Sequence, residues 1–175
     1  MTQFSKRMVI VHWLTLALLV AGWLLGDQLA EATDESKATL AGYIVHALVG
    51  VTILLLTVGR LFFRNKDGTP PDVGQSALDK MAKGIHYTLY FLLFVLPVSG
   101  VMTVITSDAG KALLAGDANL LPKEDGFKDV FAHEVHETMV NVLIVLVVVH
   151  LLGAIKHQFI TKDGLMERMM LRRKG

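Results

Sequence analysis

The sequence predicts an all-α integral membrane protein, an up-down-up-down four-helix bundle with both termini in the cytoplasm. Three observations carry that prediction. Of the 175 residues, 53% are hydrophobic and 19% charged, with a mean hydropathy of +0.50, which is less charge than a soluble domain carries. Residues 8–26, 38–59, 84–107 and 138–155 include no charged side chain, and each run meets the length of about 17–25 apolar residues that a bilayer core demands. Finally, the N-terminus, the second loop and the C-terminal tail hold thirteen of the lysines and arginines, and the other two connections hold four. Positive charge resists translocation, so the first group of segments is cytoplasmic.

The first span, about residues 8–27, follows Lys6 and Arg7. It has some features of a secretory signal, including the small-x-small triplet Ala30-Glu31-Ala32. Its apolar run is longer than a signal core and contains His12, so it is read as a retained span. Residues 27–37 form a short acidic outer loop. The second span covers about 38–63, and residues 64–80, broken by Gly68, Pro70 and Pro71, form an inner loop. The third span, about 83–106, contains Pro97 and Gly100. A proline there frees a carbonyl and kinks a helix, which membrane helices tolerate when neighbours satisfy the freed group. The longest outer connection, about 108–132, is expected to contain short interfacial helical pieces. The fourth span covers about 134–158. Four spans leave no room for a soluble domain, so residues 1–175 read as one membrane-embedded unit, with lipid as its surroundings and no nucleic acid as partner.

There is no cysteine, which excludes thiolate metal sites, iron–sulfur clusters and covalent haem attachment through CxxCH. There are seven histidines: His12, His46, His86, His133, His136, His150 and His157. An ionisable group at membrane depth costs free energy and marks function by default. For any single histidine the plain alternative is a neutral imidazole bonded to a neighbouring carbonyl, but the set has a pattern. His136, His150 and His157 are spaced by 14 and 7 residues. At 3.6 residues per turn these intervals fall about 40° and 20° short of whole turns, so the three share one helix stripe. The rise of 1.5 Å per residue sets His136 and His150 about 21 Å apart, which suits two cofactors stacked in a core of about 30 Å.

His12 lies near the inner face, as does His150, and His46 lies nearer the level of His136. The pairs His12 with His150 and His46 with His136 are therefore the expected axial ligands of two non-covalently bound haems, since haem iron takes one imidazole on each face. Gly42 and Gly50 flank His46 at i−4 and i+4 and Gly153 follows His150 by a turn, giving clearance for a flat macrocycle; close helix packing by small residues explains them equally well. Arg60, 14 residues beyond His46, shares its stripe at inner depth and suits a haem propionate, with snorkelling to the headgroups as the alternative. Spacing leaves His133 open as a substitute for His136, and His86 as an inner ligand.

The segments IVHWL, GYIVHALVG, KGIHYTLY leading to LPVSG, HEVHE and VVVHLLGAIKHQF resemble the bacterial cytochrome b561 family, and most closely its superoxide oxidase type. The resemblance covers essentially the whole chain, and the paired spacing in the fourth span is its specific part. It implies two b-type haems held between four helices, with ligands from the first, second and fourth spans: His12 and His150 for the inner haem, His46 and His136 for the outer. It also implies an oxidoreductase that oxidises superoxide to dioxygen on the periplasmic side and passes electrons through the haems to ubiquinone. His157, His86, Trp13 and Tyr87 are the quinone-site candidates. The outer face carries eleven acidic residues against four lysines, a field that repels an anion on average; Lys111, Lys123 and Lys128 are candidates to reverse it locally and steer superoxide. A monomer with no obligatory protein partner is expected. The rival reading is a cytochrome b anchor that exchanges electrons between a peripheral dehydrogenase or hydrogenase and quinone; a histidine-relay transporter is a third.

Overall fold

The computed structural model describes residues 3–30, 39–71, 74, 77–122 and 126–171. Four long helices account for most of it: α1 (Lys6–Ala30), α2 (Leu40–Asp67), α3 (Ala77–Thr106) and, after the short outer helix α4 (Asp108–Ala115), α5 (Phe131–Lys156). The long helices are each apolar and long enough to cross a membrane, and no strand occurs among the described residues. Each outlasts the uncharged run within it, because backbone hydrogen bonding continues through the polar residues at its ends. Thr39 starts α2, its hydroxyl accepting from the Gly42 N–H at 3.1 Å, and Gly68, with φ 72°, ends it in a conformation open to glycine and strained for most other residues. The expected helical pieces of the outer connection are α4 and a 3₁₀ turn at Ala118–Leu120.

Within the spans, hydroxyls are satisfied by their own helix. Thr15, Thr52, Thr57, Thr88, Thr103 and Thr106 each donate to the carbonyl four residues back, which keeps them from facing lipid unpaired. α3 runs unbroken through Pro97, which is itself buried.

α1 packs along α2, α2 against α3, and α3 along α5, whereas α5 runs along neither α1 nor α2 in close backbone contact. α3 is the most enclosed span and α5 the least, with 33% and 6% of their most apolar windows buried within the protein. α5 therefore packs chiefly along α3 and leaves most of its apolar surface outside the protein interior. Midway along it, Leu143 packs with Leu92 and Leu96 of α3, and Leu19 of α1 joins them. This apolar layer lies between the levels of His136 and His150.

The two ends of the chain meet. The Phe4 N–H donates to the Arg168 carbonyl at 3.2 Å, and Gln3 Nε2 donates to the Glu167 carbonyl at 2.8 Å. The guanidinium of Arg7 grips the carboxylate of Asp67, tying the start of α1 to the end of α2. The first and last described residues thus lie on the side that the lysines and arginines mark as cytoplasmic.

Candidate functional site

The histidines gather at two levels. At the inner level His12 of α1 faces His150 of α5 with ring centroids 6.3 Å apart and planes at 71°. At the outer level His46 of α2 faces His136 of α5 at 6.2 Å and 75°. Two imidazoles bound to opposite sides of one metal ion, with metal–nitrogen bonds of about 2 Å, hold their centroids about 6 Å apart. Both pairs have that separation. Two nitrogens leave a first-row metal short of ligands, and no group of three or more His, Cys, Asp or Glu among the described residues is arranged to hold a metal ion by itself. The remaining positions suit a macrocycle lying between the helices.

His86 of α3 also reaches the inner level, but its ring lies 5.1 Å from that of His150. That is edge contact, too close for the two rings to bind opposite sides of one metal ion. His133 stacks on Phe127 at 4.8 Å, and Phe127 in turn meets Tyr43 at 6.3 Å. It belongs to an aromatic group at the outer boundary, separate from the His46 pair.

The environments of the two levels differ. His136 Nδ1 is 3.0 Å from the Leu96 carbonyl and 3.0 Å from Ser99 Oγ, and the Ser99 hydroxyl itself donates to Leu96 at 2.9 Å. A carbonyl only accepts, so Nδ1 carries the proton and Nε2 keeps a lone pair for a metal. His46 Nδ1 is buried beside the Gly22 backbone of α1, short of full hydrogen-bond geometry. Gly26 and Gly100 stand against the two outer rings: a Cβ on Gly26 would lie 3.1 Å from His46 Cε1, and one on Gly100 would lie 3.2 Å from His136 Cε1. At the inner level Arg60 of α2 approaches His12 Nδ1 to 3.0 Å and lies over the ring of Tyr90, 5.4 Å from its centroid. Its Nε is buried and unpaired.

Gly26, Gly100 and Ser99 were missed as site residues from the sequence, although a signal existed. Gly26 is 14 residues after His12 and Gly100 is 14 after His86, the interval that joins His46 to Arg60 and His136 to His150. Each long helix thus presents one residue to each level. A Cβ on Gly42 would meet Leu29 of α1 at 3.1 Å, so glycine there also lets the two helices approach, whereas one on Gly50 would lie in ordinary contact with Pro97 of α3 at 4.0 Å. A Cβ on Gly153 would meet nothing nearby.

Of the quinone-site candidates, His157 and Trp13 are both bonded into the tail at the inner end. His157 opens a π-helical turn, His157–Thr161, and its Nδ1 donates to Asp163 at 2.6 Å. Burial would push the Asp163 carboxyl up, but the bonds from His157 and from the Leu165 N–H hold it below its ordinary value. The Trp13 indole N–H donates to the Met169 carbonyl at 3.0 Å. Tyr87 lies on α3 and is 66% exposed. On the outer face Lys111 is paired with Asp108 at 2.6 Å, which raises its pKa. Both line a shallow cleft with Asn119 and Pro122. Lys128 is exposed, and Lys123 lies outside the described residues.

A four-span bundle with imidazoles paired across helices at two depths has the architecture of a membrane cytochrome. The comparisons agree. A family profile described as prokaryotic cytochrome b561 matches residues 3–171. Cytochrome b562 of Cereibacter sphaeroides is 27% identical over 97% of this chain and 98% of its own length. Cytochrome b561 homolog 1 of Escherichia coli is 25% identical over 99% and 100%, and the probable superoxide oxidase CybB of Yersinia pestis is 24% identical over 99% and 98%. The chain belongs to the prokaryotic cytochrome b561 family. It is a multi-pass inner-membrane cytochrome of a haem b-binding, electron-transferring family.

Proposed function

We propose that this protein oxidises superoxide at the periplasmic face and delivers the electrons to ubiquinone at the cytoplasmic face, using two bis-histidine haems. The observation that carries this reading is the pair of imidazole pairs, 6.2 and 6.3 Å across, at opposite ends of one bundle. His46 and His136 hold the outer haem, and His12 and His150 the inner. Haem held by these imidazole pairs would supply reversible one-electron chemistry. The name of the Yersinia pestis relative supports superoxide as the donor.

The electron count balances. Two superoxide anions each lose one electron and become two molecules of dioxygen; one ubiquinone gains those two electrons and two protons from the cytoplasmic side and becomes ubiquinol. His157, bonded to Asp163, supplies a proton-carrying pair there, with Trp13 and His86 close to the same end. Arg60 is the partner for a propionate. A guanidinium only donates, so His12 with its proton on Nδ1 and its Nε2 on iron cannot keep the Arg60 bond. The freed guanidinium, with Nε already unpaired, then needs an anionic acceptor.

The test uses purified protein alone. A pyridine haemochrome assay is expected to give two b haems per chain, and enzymatically generated superoxide is expected to reduce a short-chain ubiquinone catalytically. One haem or none would overturn the cofactor assignment. Two haems with quinone reduction only after a dehydrogenase or hydrogenase is added would replace the superoxide reading by the anchor-subunit one.

A further inference from the structure

The two imidazole pairs sit in electrostatically unequal surroundings, and the inequality has a direction. At the inner level the half-buried Arg60 guanidinium approaches His12 Nδ1 to 3.0 Å, and a third imidazole, His86, touches His150. At the outer level the neighbours of the rings are Gly26 and Gly100, and His136 gives its Nδ1 proton to the Leu96 carbonyl. Neither level has a carboxylate among its described contacts.

Each feature acts on the iron that its level would hold. A fixed positive charge in a low-dielectric interior disfavours the oxidised iron, which carries the extra positive charge, and so raises the reduction potential. Arginine keeps that charge at any working pH. A hydrogen bond from Nδ1 to a carbonyl makes the imidazole a more basic ligand, which favours oxidised iron and lowers the potential. The two effects have opposite signs and occur at opposite ends of the bundle.

We propose that Arg60 at the inner level and the Leu96 carbonyl at the outer level set the two haem potentials apart, making the inner haem the stronger electron acceptor. Arg60 is a positioning and tuning residue here, acting through the haem rather than on a substrate. The gradient drives single electrons from a one-electron donor at the outer face toward a quinone at the inner face. When a haem propionate pairs with Arg60, the direction holds, because removing the guanidinium leaves that carboxylate uncompensated. The inference rests on the bis-histidine assignment above and goes beyond it, since paired ligands alone say nothing of which haem is the better acceptor.

Spectroelectrochemistry of the purified holoprotein tests it. The wild type is expected to show two midpoints separated by at least a tenfold electron-transfer equilibrium, about 59 mV for one electron. In Arg60→Gln the higher midpoint falls and the lower stays; Arg60→Lys, which keeps the charge, restores most of the separation. Coincident midpoints in the wild type overturn the proposal without any variant. So does an Arg60→Gln protein with both haems bound whose higher midpoint is unmoved or whose lower midpoint moves instead. If Arg60→Gln loses a haem, Arg60→Lys compared with the wild type decides: a higher midpoint collapsed onto the lower one overturns the charge argument, and a retained separation supports it. A chain with fewer than two haems fails the ligand assignment, a result distinct from two haems of equal potential.

Discussion

His12 and His86 approach the same partner, His150, from different helices, and their distances of 6.3 and 5.1 Å separate their roles. Only the longer matches two rings bound to opposite sides of one metal ion. His12→Ala is therefore expected to lose one haem of two, whereas His86→Ala keeps both and alters their spectrum slightly; haem stoichiometry checks both. Asp163 supports a prediction of pH dependence. Its folded pKa lies below the unfolded value, so its contribution to holding the tail is complete above the ordinary carboxyl range and is lost as pH falls through the folded value. Hydrogen exchange across residues 162–171 should stay slow down to about pH 4, near the unperturbed aspartate value, and quicken below it. In Asp163→Asn the tail should exchange faster at neutral pH, with the acid step gone.

At the scale of helices, glycine decides how closely α1 and α3 come to the outer rings. Gly26→Val and Gly100→Val each place side-chain carbon where a ring edge already lies about 3 Å from a Cβ, and neither imidazole can retreat without losing its partner. Each variant is expected to lose the outer haem, roughly half the haem absorbance, and to keep the inner. Loss of both haems to the same extent would instead mean that the whole bundle had come apart. The tail is the other element with a specific task. It bonds to Phe4, Gln3 and Trp13, and Arg168 donates to the Pro71 carbonyl at 2.7 Å. It thereby joins the N-terminus, α1 and the inner loop at the cytoplasmic end. Removing residues 162–175 is expected to raise the KM for quinone while leaving two haems bound, which enzyme kinetics and haem stoichiometry together would show.

For the molecule as a whole, charge works against the proposed substrate. The outer face is acidic on average, and Lys111 is already paired with Asp108. Local steering must then be modest. Lys111→Gln is expected to reduce the rate of superoxide oxidation less than twofold, and Lys128→Gln to act likewise; the combination with Lys123→Gln should flatten the dependence on ionic strength. An unchanged salt profile in the triple variant would end the steering idea. The bundle's anatomy fits its task at this scale, with an apolar layer of Leu92, Leu96 and Leu143 between two polar levels.

The four spans, their orientation and the two depths of histidine followed from sequence alone. Uncharged runs of sufficient length, the lysine and arginine bias and the 14-residue spacing on α5 are one-dimensional patterns with direct physical meaning in a bilayer. The expected partners of His136 and His150 also came from depth. Only the tertiary structure gave the distances that separate His12 from His86, and only it placed Gly26 and Gly100 against imidazoles of other helices. It also placed Gly42 against Leu29 of α1 and brought the tail into a hydrogen bond with Trp13. Sequence spacing fixes depth and the stripe on a single helix, because the helical repeat is regular. It leaves open how neighbouring helices are rotated about their axes, and that rotation, set by packing between α1 and α2 and between α3 and α5, determines which side chains meet.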